Sequence, residues 1–186
     1  MYLMTEQSRT GVATSHADIS FREIVDTHKR GVYYLALDLT GNHHDAEDLS
    51  QEVFIKAHRG LARFRGESGM YTWLRRIAIN TYLNKKRKKA LTLMRFFGED
   101  DDADRSSNED RSPAQDAEGT NVREHINRAL EKLTSRERTA FVLRHHQDMS
   151  TREVAESMEV ASGTVKSLLF RATRKLQSEL AYLKQE

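Results

Sequence analysis

Three groups of residues in this chain have the types and spacing to do chemistry, and the chemistry is binding rather than catalysis. The first is cationic. Lys85, Lys86, Arg87, Lys88 and Lys89 close the stretch MYTWLRRIAINTYLNKKRKK, which also carries Tyr71, Trp73, Asn80, Tyr82 and Asn84. Cations grip phosphate, ring faces stack on bases and amides read base edges, so the mixture suits a nucleic acid. For Trp73 taken alone, a place in the core is the better reading. The second group is Thr164, Lys166, Ser167, Phe170, Arg171 and Arg174, close behind the stretch STREVAE. The third is acidic: Asp45, Glu47, Asp48, Gln51 and Glu52. On composition these acids are first a well-solvated helix start, since carboxylates there oppose the positive end of the helix dipole.

Catalytic patterns are missing. The sequence has no Gly-rich phosphate loop, no HExxH and no clustered acid pair of catalytic type, which sets aside a nuclease or another hydrolase. His43 and His44 are adjacent and point in different directions, with no spaced His/Asp set to complete a coordination sphere, so no metal and no cofactor is expected. The chain has no cysteine and no run of apolar residues long enough to span a bilayer, which fits a cytoplasmic protein without membrane insertion.

A chain of 186 residues with 38% hydrophobic and 31% charged residues is better split into two small helical units than built on one large core. The charge pattern draws the boundaries. Residues 21–97 carry 15 Lys/Arg against 8 Asp/Glu, residues 98–118 carry 2 against 9, and residues 119–186 carry 12 against 9. A basic unit at 20–97, an acidic linker at 98–118 and a second basic unit at 119–186 follow, with residues 1–19 expected to fray. The single proline, Pro113, falls in the linker.

The elements that position these groups read as helices throughout, giving an all-α fold. Ser20-Phe21-Arg22-Glu23, Thr134-Ser135-Arg136-Glu137 and Ser150-Thr151-Arg152-Glu153 are capping boxes. Behind the first, Phe21, Ile24, Val25, His28, Val32, Leu35, Ala36 and Leu39 share one face up to Gly41-Asn42. The next helix buries Ala46, Leu49, Val53 and Ala57. The third packs Met70, Trp73, Leu74 and Ile77 inward and leaves Arg75, Arg76, Asn80 and Asn84 toward solvent. The last is expected to start at an N-cap Ser162, with Val165, Leu169, Ala172, Leu176 and Leu180 inward. Two short helices with a tight turn, the second basic on its outer side, make a helix-turn-helix whose second helix enters the major groove. The exposed Phe170 between Lys166 and Arg171 favours that over an ordinary helical hairpin.

With these residues in view the chain resembles the two-domain bacterial sigma factors of the extracytoplasmic-function type. The matching strings are DAEDLSQEVFIKA (45–57) and TWLRRIAIN (72–80) in sigma region 2. In sigma region 4 they are LTSRERTAFVLR (133–144), STREVAE (150–156) and SGTVKSLLFRA (162–172). The resemblance implies a region 2 bundle and a region 4 helix-turn-helix, with core RNA polymerase (its clamp coiled coil and flap), promoter DNA and a cognate anti-sigma factor as partners. It makes Asp45, Glu47, Asp48, Gln51 and Glu52 polymerase contacts. It places Asn80, Asn84, Lys85, Lys86 and Arg87 on the single-stranded −10 element. Thr164, Lys166, Ser167, Phe170, Arg171 and Arg174 fall to the −35 duplex. The competing expectation is a LuxR-like regulator that binds an operator through residues 119–186 and senses a signal through residues 21–97.

The sequence departs from the family pattern at three places. Glu159 stands where glycine is frequent, and a left-handed non-glycine residue costs about 1 kcal/mol, so a differently shaped turn is expected. Leu168 replaces a frequent arginine, which removes a basic contact from the recognition helix. Asn84 replaces a frequent aspartate. The acidic linker has two readings: a segment that mimics RNA in a positive channel of the polymerase, or a solubilising tether. Replacing Asp100, Asp101, Asp102 and Asp104 with serine separates them. Channel filling predicts weaker holoenzyme assembly and a changed ratio of abortive to full-length RNA from one promoter; a tether predicts identical ratios and core affinity.

Overall fold

The computed structural model describes residues 20–97 and 119–181; the tail 1–19 and the acidic linker 98–118 lie outside the described residues. Among the described residues the fold is all-helical: α1 (Phe21–Thr40), α2 (His43–Gly60), a short 3-10 turn (Leu61–Arg63), α3 (Met70–Phe97), α4 (Gly119–Glu131), α5 (Ser135–His145), α6 (Thr151–Met158) and α7 (Ser162–Glu179).

Local chemistry sets most helix starts. The first N–H groups of a helix have no partner within it, and a cap supplies one. At α5 the Thr134 hydroxyl accepts the Glu137 N–H at 3.3 Å and Glu137 accepts the Thr134 N–H at 3.0 Å. Ser150 and Glu153 repeat the exchange at α6, at 3.3 and 2.7 Å. At α1 Glu23 accepts the Ser20 N–H at 2.9 Å. Asn42 opens α2 by accepting the Asp45 N–H at 2.7 Å. The start of α7 differs from expectation: its N-cap is Ala161, without a side-chain cap, and Ser162 is the first helical residue.

The apolar faces of α1, α2 and α3 meet in a core that fully buries Leu35, Leu39, Leu49, Val53, Leu74 and Ile79. That core does not stop at the end of α3. Val142, Leu143, Met149, Val154, Met158, Val165 and Leu168 belong to the same buried cluster, so α5, α6 and α7 pack onto the first three helices. A smaller cluster of Ala129, Leu130, Leu133, Ala172 and Leu176 holds α4 to α7.

Leu168 is therefore core, 4% exposed, while Leu169 is only partly buried. The phase expected for α7 was off by one residue here. A position facing the core carries no DNA contact, so Leu168 removes none from the outer face. On α3, Tyr82 is buried and Tyr71, Arg75 and Arg76 are half-buried rather than solvent-facing. Tyr82 offers no ring face for stacking.

A polar seam lies beside the shared core. Arg138 is 4% exposed and its Nε donates to the Asp38 carbonyl at 3.0 Å, at the C-terminal end of α1. Gly41 ends that helix at φ 83°, and a Cβ there would come within 2.7 Å of the Arg138 guanidinium, so both conformation and space call for glycine. The Tyr71 hydroxyl reaches Gln147 at 3.3 Å. His146 Nδ1 lies 3.1 Å from the Asp38 carboxylate.

The turn between α6 and α7 keeps the left-handed shape despite its side chain. Glu159 sits at φ 56°, ψ 44°, and the following Val160 N–H closes the turn on Ala155 O at 3.0 Å. The expected reshaping does not occur; the chain carries the strain instead. Glu159→Gly should stabilise the protein by about 1 kcal/mol in urea unfolding, and an unchanged or lower midpoint would refute strain at this residue.

The seam also titrates. The Asp38 hydrogen bond raises the His146 pKa above its ordinary value, against burial and the nearby Arg138. A pKa higher in the folded state stabilises fully below the unfolded value, near 6.5, and that contribution fades as pH rises through the folded value. Asp38→Asn should therefore destabilise more at about pH 6 than at about pH 8.5. An equal loss at both would show that the His146 pair contributes nothing.

Candidate nucleic-acid interface and acidic docking face

The outer face of α2 carries the acidic set. Asp45, Glu47, Asp48 and Gln51 are exposed, with Asp45 also accepting the Asn42 amide at 2.9 Å and Asp48 lying 3.9 Å from His44. Glu52 is different. It is half-buried and bridges two cations, Lys56 and Lys85, each at 2.8 Å. Burial pulls its pKa up, the hydrogen bonds from Lys56 and Lys85 pull it down, and the balance lies below the usual carboxylate value. Glu52 thus ties α2 to α3 through Lys85, whose ammonium keeps further donors toward solvent. Sequence reasoning grouped Glu52 with the free acids because its second partner lies on another helix.

Glu47 and Gln51 stand on the rim of an apolar cleft of about 450 Å³ between α1 and α2, lined also by Val25, Tyr33, Tyr34 and Phe54. Tyr34 is 54% exposed, off the buried face of α1. Lys29 and Arg30 stand on the opposite rim, so the cleft offers aromatic walls between one acidic and one basic edge, the apolar centre and polar rim of a protein interface.

On α3, Asn80 and Asn84 lie one turn apart and are both exposed. They edge a cavity of about 390 Å³ whose other walls include Lys56, Arg63, Trp73 and Thr81. Trp73 is set by Phe64, whose ring centroid is 5.0 Å away, and Lys56 Nζ reaches Thr81 Oγ1 at 3.1 Å. One aromatic wall, two amides and flanking cations are the parts needed to hold an unstacked base. The sequence pointed to Asn80 and Asn84; Lys56, Arg63 and Thr81 come from other turns and were not legible there. Arg87 donates to Asn84 at 3.1 Å, and Lys86 lies over the Tyr82 ring at 5.8 Å. A second cleft of about 500 Å³ runs between Asn80, Asn84 and Arg87 on one side and Arg136, Met158 and Glu159 on the other.

On α7, Thr164, Lys166, Ser167, Phe170, Arg171 and Arg174 are all exposed. Phe170 is 64% exposed with the Arg174 guanidinium 5.8 Å from its ring centroid. Ser167 donates back to the Gly163 carbonyl at 3.1 Å. Arg171 Nε is held at 3.3 Å by Glu137, which also takes Lys175 at 2.7 Å. Neither Glu137 nor Lys175 was among the expected site residues. The only sequence signal was Lys175 one turn beyond Arg171.

Comparison with known proteins places both halves. The sigma-70 region 2 profile matches residues 24–92 and the sigma-70 region 4 profile matches residues 123–176. Over 175 residues the chain is 30% identical to the ECF RNA polymerase sigma factor SigW of Bacillus subtilis, covering 87% of this chain and 89% of that one. The chain belongs to the extracytoplasmic-function sigma factors. It is also 35% identical over 163 residues to SigE of Mycolicibacterium smegmatis, covering 87% of this chain and 62% of that relative's length. Among solved structures, the sigma factor RpoE of Bartonella quintana, in complex with the anti-sigma factor NepR, matches with a TM-score of 0.66 at 25% identity. The match covers 87% of this chain and 96% of that one. The LuxR-like alternative has no support, because the first half of this sigma factor is region 2 and not a sensor domain. Among the described residues no helix is long and apolar enough to cross a membrane, and no group of three or more ligating side chains could hold a metal.

Proposed function

We propose that this sigma factor docks on core RNA polymerase through the acidic face of α2 and carries it to promoters. In this reading Asp45, Glu47, Asp48 and Gln51, with the apolar cleft beside them, meet the polymerase clamp. The cavity bounded by Trp73, Asn80 and Asn84 takes a base from the opened −10 strand, with Lys86 and Arg87 on the backbone. Residues 119–186 bind the −35 duplex through α7, and residues 98–118 join the two surfaces. The observation that carries the reading is an amide-edged cavity with one aromatic wall and a cationic recognition helix on one chain. Melting and reading a promoter is a binding function and needs no catalytic group, so no enzymatic activity is assigned. A cytoplasmic location and a cognate anti-sigma factor, of the kind bound to the Bartonella relative, belong to the same proposal.

The seam bears on how the surfaces are used. Elements about 25 base pairs apart at roughly 3.4 Å per step are on the order of 80 Å apart. A chain of this length in one packed body has a radius of gyration of about 16 Å. Both elements cannot be held at once with α5 and α6 walling the Asn80 cleft. Promoter engagement therefore requires the Asp38, Arg138 and Tyr71 contacts to part.

The test is reconstitution with core polymerase followed by run-off transcription over genomic promoters. Asp48 is exposed and its one described ion pair is the 3.9 Å approach of the likewise exposed His44, so Asp48→Lys should change stability by no more than about 0.5 kcal/mol. It should lower core affinity about tenfold or more, on the order of 1.4 kcal/mol. Asn80→Ala should leave core affinity intact and reduce strand opening, read as permanganate reactivity of −10 thymines. Wild-type core affinity in Asp48→Lys would remove α2 as the docking face.

A further inference from the structure

Glu137 is the most deeply buried carboxylate that the reading above leaves unused. It is 3% exposed, in the first turn of α5, yet its partners lie on the DNA-facing helix. Oε1 accepts Arg171 Nε at 3.3 Å; Oε2 accepts Lys175 Nζ at 2.7 Å and the Thr134 N–H at 3.0 Å. The side chains of Arg171 and Lys175 remain 55% and 42% exposed. We propose that Glu137 is a positioning residue for duplex recognition, holding Arg171 and Lys175 as one oriented and partly neutralised phosphate clamp, with Lys175 its second arm. The proposal rests on the reading of α7 as the −35 helix.

The geometry explains why this pair serves DNA as well as the fold. The bond to Arg171 uses Nε and leaves the terminal guanidinium nitrogens free, four of the five N–H donors of an arginine. The ammonium of Lys175 likewise keeps donors beyond the one it spends. Both cations are thus anchored at the carboxylate and open toward solvent, on positions one turn apart. Anchoring removes rotamer freedom during folding, so less is lost when phosphate arrives. The charge stays real at neutral pH. Burial pushes the Glu137 pKa up, the Lys175 and Thr134 hydrogen bonds push it down, and it ends below the ordinary value.

Neutralisation supplies the specificity. Two cations against one buried anion present about one net charge to the duplex. Each phosphate neutralised adds about −0.9 to the slope of log affinity against log salt, whatever the base sequence. An unneutralised pair would add sequence-blind attraction and let Arg171 swing between phosphates and bases. Glu137 restrains both.

The experiment uses holoenzyme and two duplex probes in competition over a salt series: a promoter recovered by run-off transcription, and the same promoter with its −35 element scrambled. Glu137→Gln keeps an acceptor for the Thr134 N–H, so the capping box survives. Its expected result is several-fold tighter binding to the scrambled probe, a preference for the true element reduced about fivefold or more, and a salt slope steeper by about 0.9. Lys175→Met is expected to weaken both probes alike and to make the slope shallower, with the preference retained. Wild-type slope and preference in a folded Glu137→Gln variant overturn the proposal. If that variant does not fold, an unaltered slope in Lys175→Met overturns it. A wild-type holoenzyme indifferent to the scrambling fails at an earlier step: it sinks the −35 role of α7, and the clamp with it.

Discussion

The contact on which the arrangement turns is Arg138 at the end of α1. A guanidinium buried to 4% exposure is costly unless its donors are met. Here Nε finds the Asp38 carbonyl at the negative end of a helix, where cations are favoured. Once that side chain is seated, much else is constrained. Gly41 has no room for a Cβ, α5 is fixed against α1, and His146, roughly two turns further on, falls beside the Asp38 carboxylate. Helices α6 and α7 follow α5, which carries Glu159 and Met158 to the cleft opposite Asn80 and Arg87.

A second regularity concerns how carboxylates are used. Glu52 and Glu137 are withdrawn from solvent and each takes two cations, Lys56 with Lys85 and Arg171 with Lys175. In both cases at least one cation belongs to a surface suited to nucleic acid, and the carboxylate comes from a neighbouring helix. Asp48 and Glu47 have no such partner among the described ion pairs beyond the 3.9 Å approach of His44. Burial therefore sorts acids that look alike in sequence. Glu52 and Glu137, each with a cation on another helix, join elements, whereas Glu47 and Asp48 stay on the exposed face of α2.

This sorting also marks the limit of what the sequence disclosed. Helix starts at Ser20, Thr134 and Ser150 were legible because a capping box spans four residues and needs no tertiary information. The buried faces of α1 and α2 were legible from spacing alone. The α7 face was misread by one position because Leu168 and Leu169 are both apolar, and only packing against the shared core chooses between them. Tyr82 looked like a stacking residue because its burial depends on α3 being covered by its neighbours. Asn80 and Asn84 were visible as amides, but the cavity they edge needs Arg63 and Lys56, brought in by the fold of the chain. The continuous core and its polar seam left no periodic trace at all.

The strained residue Glu159 belongs to the same account. Its left-handed backbone is a cost that glycine would avoid, and its side chain lines the cleft that holds Arg87 on the facing wall. Strain that persists in a fold is held by its surroundings, and the place to look for its consequence is the site it faces. A carboxylate in that cleft and a nucleic-acid phosphate draw on the same positive potential, and like charges so close repel. With α6 packed against α3, Arg87 faces a wall that carries both Arg136 and Glu159. The left-handed turn thus sets a carboxylate beside the Arg136 guanidinium on the wall that faces Arg87, and the charge of that wall depends on both.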